Sequence, residues 1–296
     1  MRVSEYFKLD KTQPYLDFVD IRLDTDIPVF LDPSAIKNLD SEWGNELSSY
    51  LQTFFESVLK KIQNNDHSAA KKLLASLNER NEYHLGYSVG KSRGHGFGVD
   101  SAASVWHALT KSKAAKTGLL KDLEDTALMI NGIGTDMISD ATSNILRAPL
   151  IKYTQEISKY YGIPLTPNVP SGPIWNPHKE IWEQAFVDLP MTDAGKIILV
   201  PKIIVRHKIT YQAEEYYRHY LLPEMQDENI KKHTALVETL KNGRLRVTKK
   251  ALMDKYGKDK LAITEQTIKH PQVLLDYKES KLDSPSKPLS HEEFTS

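Results

Sequence analysis

Asp136, Asp140 and Asn144 follow one another at intervals of four residues, directly after the turn Asn131-Gly132-Ile133-Gly134-Thr135. A helix capped by Thr135 or Asp136 puts all three on one face. Two carboxylates one turn apart can share a hard divalent cation such as Mg²⁺, and a neutral amide oxygen can add a further ligand. The metal set expected is therefore Asp136, Asp140 and Asn144, with the two aspartates also carrying the chemistry. A plainer reading stands beside it. Acidic residues in a first helical turn favour the helix dipole, and Asn144 can simply bond a neighbouring loop.

A second segment could hold an anion. Five glycines lie between Gly86 and Gly98, interleaved with Lys91, Arg93 and His95, just before a helix. Glycines let a backbone approach a phosphate, a helix N-terminus offers free N–H groups, and the cations add charge. The loop is not a P-loop, because Gly86 and Gly90 enclose three residues where that pattern needs four. Its plain alternative is a surface loop whose glycines serve turns.

The third segment is Leu199-Val200-Pro201-Lys202. It resembles the catalytic strand of the PD-(D/E)xK nucleases. That resemblance implies carboxylates holding a metal while Lys202 stabilises charge around the attacking water. Val200 stands where the acid should be, so the acid would come from elsewhere, with Glu180 or Glu183 as candidates. Val273-Leu274-Leu275-Asp276-Tyr277-Lys278 matches the string more closely but reads equally well as helix. The histidines form no metal pattern, and His207, His219 and His233 read as surface or cap residues. Arg80 and His84 are too close for the Arg-x(4–6)-His pair of HEPN ribonucleases. With no cysteine in the 296 residues, disulfides, thiol nucleophiles and thiolate zinc sites are excluded.

These segments need elements to position them. Leu16, Phe18, Ile21, Leu23 and Val29-Phe30-Leu31 read as extended. Ser41 caps a helix carrying Leu47, Leu51, Phe54, Phe55, Val58, Leu59 and Ile62 at helical spacing. Further helices are expected near 67–79, 99–112, 117–130, 136–161, 211–222, 227–241, 248–256 and 262–279. Ile181, Trp182, Ala185 and Phe186 also repeat with a helical period. Residues 197–205 read as a buried strand that Pro201 interrupts or ends. Five prolines between 163 and 178 make a stiff connection. The fold expected is mixed α/β, mostly helical, with a small central sheet built from the N-terminal strands, residues 83–88 and 197–205. Residues 1–222 form the core domain, 223–280 a basic helical region and 281–296 a disordered tail.

Net charge is zero, but residues 1–66 lean acidic and residues 230–260 lean basic. The basic stretch, with Lys249 and Lys250 opening a helix, can face a polyanion or a partner protein. The N-terminus has no apolar core of a secretory signal, and no stretch is long enough to span a membrane. A cytoplasmic protein without membrane attachment is expected. Finally, Phe30-Leu31-Asp32-Pro33, the glycine-rich loop, Gly-x-Gly-x-Asp-x-Ile-Ser-Asp-x-x-x-Asn and Tyr153-Thr154-Gln155 together resemble an uncharacterised bacterial family. That family is of the kind found among mobile or phage-defence genes, which implies a nucleic-acid-directed effector. Two functions follow. One is a Mg²⁺-dependent hydrolase of nucleic-acid phosphodiesters, using Asp136, Asp140 and Lys202 with Lys91, Arg93, His95, Lys249 and Lys250 on the substrate. The other is a non-enzymatic subunit that binds nucleic acid or a protein.

Overall fold

The structure, a computed structural model, describes residues 1–86 and 99–294. The helix Glu42–Gln63 is its spine. Ser41 Oγ accepts from the Gly44 N–H at 3.0 Å, and the seven apolar residues at helical spacing are all buried. Asn65 turns the chain in the left-handed region, and Asp66 caps the next helix, His67–Leu74.

Against this spine lies the extended N-terminal segment. Phe18, Val19, Ile21, Val29 and Leu31 are essentially without solvent contact. The sheet expected from three segments is present only in fragments. Phe30–Leu31 pairs antiparallel with Val205–Arg206, Phe18 bridges Pro201, and Ile27 bridges Leu85 in parallel. Pro28, Pro33 and Pro201 explain the fragmentation, since each removes a ladder donor. The fold class is nonetheless mixed α/β and mostly helical. Its strands form five separate two-stranded antiparallel ladders among the described residues, rather than one central sheet.

Prolines also split helices that apolar periodicity runs together. The expected 136–161 helix is two, Thr135–Ile145 and Arg147–Tyr161. Pro149 cannot donate to residue 145, and its ring collides with that carbonyl. The 262–279 helix is likewise Lys260–Lys269 followed by Pro271–Asp283, with Pro271 in the first turn of the second. At Tyr217–Leu221 the helical turn widens to a π-turn just ahead of Pro223, between Ala213–Tyr216 and Leu222–Lys231. The missing proline N–H is accommodated by the wider turn.

Residues 181–186 are not helical. Ile181–Glu183 and Phe186–Leu189 are strands in an arm of short hairpins, paired with Ile174–Asn176 and Thr166–Pro170. Trp175 opposes Trp182 across the first pair, and Phe54 of the spine meets Trp175 edge-on with centroids 5.0 Å apart. Aromatic cross-strand packing supplies more than a three-residue helix face could.

The domain boundary expected at 222 falls inside the run of helix from Ala213 to Lys231. The C-terminal helices then return to the body. Lys260 Nζ donates to the Ile133 carbonyl at 2.5 Å, and Lys278 reaches Asp122 and Asp125 at 2.8 Å. The segment after Lys281, expected to be disordered, is docked as far as Phe294. Arg206 donates to Ser286 Oγ and to its carbonyl, and Phe294 is only 1% exposed. The expectation of disorder fails here because one aromatic ring and one serine anchor the strap. Removing residues 284–296 is therefore expected to lower the melting temperature. Phe294→Ala alone should cost about 3 kcal/mol. An unchanged thermal transition in both variants would return the strap to a solvated tail.

Candidate functional site

The Thr135–Ile145 helix presents Asp136 and Asp140 on one face, as their spacing requires. The strand Phe30–Leu31 packs against the adjoining flank of the helix, with the Leu31 N–H donating to Ser139 Oγ at 3.0 Å. The two aspartates are joined by two carboxylates from elsewhere in the chain, Asp26 and Glu79. Asp26 sits beside His84 at 3.8 Å and is placed by the Ile27–Leu85 bridge.

The electrostatics record this crowding. Burial pushes the Asp140 carboxyl up to about 8, and Asp136, Glu79 and Asp26 add to the rise in that order. Burial also raises Glu79, with Asp136 and Asp26 contributing, and raises Asp26 against the pull of His84. For His84, burial lowers the imidazole below its ordinary value while Asp26 resists. Asp26 and Asp140 are half-buried, while Glu79 and Asp136 are exposed beside them. Like charges near a half-buried carboxyl favour a retained proton or a bound cation.

The glycine-rich loop departs from this cluster. Gly86 has φ of +116°, and a Cβ there would stand 2.9 Å from Asp136 Oδ1. The positive φ calls for glycine here, and the absent side chain lets Asp136 stand close behind it. The two segments singled out in the sequence meet at this point. Lys91, Arg93 and His95 themselves lie outside the described residues.

Asn144 occupies a different role from Asp136 and Asp140. It is fully buried, its Oδ1 accepts from Arg80 Nε at 3.2 Å, and its Nδ2 donates to the carbonyls of Asn78 and Asp140. It clamps the 78–80 turn to the helix. The expectation of Asn144 as a metal ligand is corrected accordingly: its oxygen faces a guanidinium, where a cation would be repelled.

Lys202 does not join the cluster. It begins a single 3₁₀ turn, and its ammonium donates to the Gln13 carbonyl at 3.1 Å. Burial lowers its pKa, and the carboxylate that opposes this is Asp17, not Asp136 or Asp140. The likeness to a nuclease strand fails in shape as well, since Pro201 ends the extended run. Of the two substitute acids, Glu183 is engaged by Lys179 at 2.7 Å and by Asn176 in the hairpin arm, and Glu180 sits in that hairpin's turn at φ of +53°. Lys249 and Lys250 open the Lys249–Tyr256 helix, capped by Thr248. Lys249 is tied to the Arg218 carbonyl. Asp32, prominent in the sequence, is a structural cap. It is fully buried and accepts from Ser34 N, Thr210 N and Thr210 Oγ1.

A set of charges that spacing does not reveal lies on the other side of the 79–84 segment. Arg147 is fully buried, and its Nη1 donates to Glu82 Oε1 at 2.6 Å and to the Ser171 carbonyl at 2.8 Å. Lys196 approaches the same carboxylate at 3.9 Å. The only hint in the sequence is the dense run Glu79-Arg80-Asn81-Glu82 between the apolar Leu77 and Tyr83.

Among the described residues, no three His, Asp or Glu side chains converge closely enough to hold a metal ion unaided. No helix among the described residues is long and apolar enough to cross a membrane. The protein is thus a helix-rich α/β protein with an acidic cluster at the foot of a glycine-rich loop. Residues 8–212 match a family described as a domain of unknown function (DUF8370), and the chain belongs to that family. The match contains the acidic cluster and stops one residue before the Ala213–Tyr216 helix. No curated protein and no solved structure matches the chain.

Proposed function

We propose that the protein is a Mg²⁺-dependent hydrolase of nucleic-acid phosphodiesters, acting as an effector in antiviral defence. The observation that carries this reading is the pair Asp136 and Asp140 one turn apart on one helix, where the glycine-rich loop begins, with Glu79 and Asp26 near enough to raise the Asp140 carboxyl.

The donor set suits Mg²⁺ better than a caged metal. Mg²⁺ is commonly held by one or two carboxylates, with water and substrate phosphate filling the remaining positions. Asp136 and Asp140 supply two carboxylates on one helix face. Glu79 and Asp26 add negative potential around them. When bound, the ion would polarise a phosphoryl oxygen and lower the pKa of a water molecule. Asp140 must lose its proton to act as a ligand, so metal affinity should rise with pH up to about 8. Lys91, Arg93 and His95 are placed in sequence to meet the phosphate. Lys202 has no part in this version of the site.

The test is strand cleavage by the purified protein on single- and double-stranded DNA and RNA, with and without EDTA. Asp136→Asn and Asp140→Asn should each reduce cleavage at least about a hundredfold, the upper end of what even indirect metal partners contribute, while remaining folded. Full activity in both variants, or cleavage that survives EDTA, would remove the site.

A second reading, a non-enzymatic binding subunit, is favoured by one feature. A cleft of about 720 Å³ lies beside the C-terminal strap, lined by Arg206, Lys208, Arg218, His219 and Lys281 with Glu214 and Glu215. The two readings differ in their salt and mutational behaviour. Each phosphate contact should contribute a log-log salt slope of about −0.7 on a single strand and about −0.9 on a duplex. Lys249→Glu with Lys250→Glu should weaken nucleic-acid binding and flatten that slope without changing cleavage at saturating substrate. If the protein shows no more affinity for DNA or RNA at low salt than a neutral control, both nucleic-acid readings fall and a protein partner remains.

A further inference from the structure

Arg147 is a fully buried cation with part of its hydrogen-bonding capacity unmet. Its side chain has no solvent exposure, and its Nε and Nη2 have no hydrogen-bond partner. Only Nη1 is engaged, by Glu82 and Ser171. The Tyr83 ring covers the guanidinium, 5.5 Å from centroid to carbon. That contact offsets part of the desolvation cost but leaves two donors unmatched.

Two further cations stand close by. Arg80 is half-buried and is anchored through Nε to Asn144. Lys196, with a quarter of its side chain exposed, donates to the Pro170 carbonyl at 2.7 Å. Burial lowers the pKa of Arg80, and Arg147 lowers it further. Burial likewise lowers Lys196 against Glu82, with Arg147 and Arg80 adding to the fall. The backbone makes room for the group. Gly172 has φ of +77°, and a Cβ there would crowd Arg147 Nη1 at 3.3 Å. Three elements converge on this spot: the 80–83 segment, the start of the Arg147–Tyr161 helix and the 170–172 turn.

We propose that Arg80, Arg147 and Lys196 form a binding site for a phosphomonoester, the dianionic terminal phosphate of a nucleotide or strand end. Arg147 and Lys196 pair with one carboxylate, Glu82, and Arg80 adds a third positive charge nearby, so the site is left with a surplus that suits a dianion better than a monoanionic diester. Glu82 serves as the resident counter-charge in the free protein and shifts aside as the phosphate enters. Arg80 and Lys196, the members that retain some solvent contact, admit the ligand, and Arg147 forms the floor. A planar, multiply donating guanidinium is the side chain best fitted to phosphate oxygens. The inference rests on these cations alone, not on the metal reading of the neighbouring carboxylates.

The experiment is calorimetric titration of the intact protein with inorganic phosphate at pH 8 in EDTA, repeated with acetate and with dimethyl phosphate. Saturable phosphate binding is expected, with both comparison anions weaker by about tenfold or more. Losing one charge-assisted contact is worth about 1.5–3 kcal/mol, so Arg80→Ala and Lys196→Ala should each weaken phosphate by about tenfold or more. Arg147→Lys, which keeps the buried charge but loses the fork, should weaken it similarly while the melting temperature reports its fold. Asp140→Asn should leave phosphate affinity unchanged, which separates this site from the metal site. Absence of saturable binding in the wild-type protein would overturn the proposal. So would unchanged affinity in both alanine variants, or a loss seen only in Lys208→Ala, which would move the anion to the cleft beside the C-terminal strap.

Discussion

At pH 8, Asp140→Asn is expected to be more stable than the wild-type protein by about 2 kcal/mol, and at pH 5 the difference should be much smaller. The folded carboxyl is raised to about 8 from an ordinary value of 3.8. Between those values the native state holds a proton that the unfolded state has released. Wild-type stability therefore falls as pH rises through this window, with a limiting slope of about 1.4 kcal/mol per unit. Asparagine has no proton to lose, so its advantage grows with pH and levels off above about 8. Local relaxation and water entry keep the realised gain below the limiting value, hence the figure of about 2 kcal/mol and a rise of roughly 5 °C in melting temperature.

Mg²⁺ should act on the same penalty from the other direction. At a hundredfold its dissociation constant it should stabilise the wild-type protein by about 2.7 kcal/mol at pH 8. It should do little at pH 5, where Asp140 is protonated, and little to Asp140→Asn at either pH. Melting curves across pH 5–8, with and without Mg²⁺, measure all of this. Parallel curves for the wild type and the variant would show that the carboxylates are not crowded as described.

The second large effect is structural. Lys278→Met is expected to destabilise the protein by about 3–5 kcal/mol, lowering the melting temperature by roughly 10 °C. Lys278 Nζ bridges Asp122 and Asp125 at 2.8 Å, while Lys37 bridges Asp122 and Glu124 at 3.0 and 2.8 Å. Asp125 is fully buried, and its Oδ2 also accepts from the N–H groups of Lys121 and Asp122. Removing the lysine strands a buried charge, which costs far more than the intact bridge contributes. Lys37 and Lys278 lie 241 positions apart, so the network staples the C-terminal helix onto the N-terminal body. A double variant, Lys278→Met with Asp125→Leu, should recover much of the loss. A drop of less than about 1 kcal/mol in the single variant would mark the bridge as an ordinary surface pair.

This same lysine shows where string matching misleads. Asp276-Tyr277-Lys278 fits the nuclease pattern better than Lys202's segment does, yet it lies on the Pro271–Asp283 helix. Lys278 is spent on Asp122 and Asp125, and Tyr277 is buried among Tyr211, Tyr216 and Tyr220. A three-residue string records neither backbone conformation nor the partners a side chain has found.

The sequence by itself determined the features that are local. The spine helix and its buried face follow from seven apolar residues at one period and a serine cap. The shared face of Asp136 and Asp140 follows from their spacing of four. The end of the 197–200 run follows from Pro201, which has no N–H to continue a ladder. Mostly helical α/β composition follows from the same local signals. Only the tertiary structure decided which distant charges meet. Asp26 and Glu79 join Asp136 and Asp140 because the chain from Ile27 is pinned to Leu85 and Gly86, and no spacing rule links positions so far apart. Arg147, Arg80 and Lys196 are assembled by packing in the same way, around a glycine whose missing Cβ leaves room for a guanidinium. Lys202 was separated from the aspartates, and Asn144 turned into a clamp, by contacts with Gln13 and Arg80 respectively. Periodicity is set by the geometry of one element. A cluster of charges is set by how several elements bury their apolar faces together, and that information is spread over the whole chain.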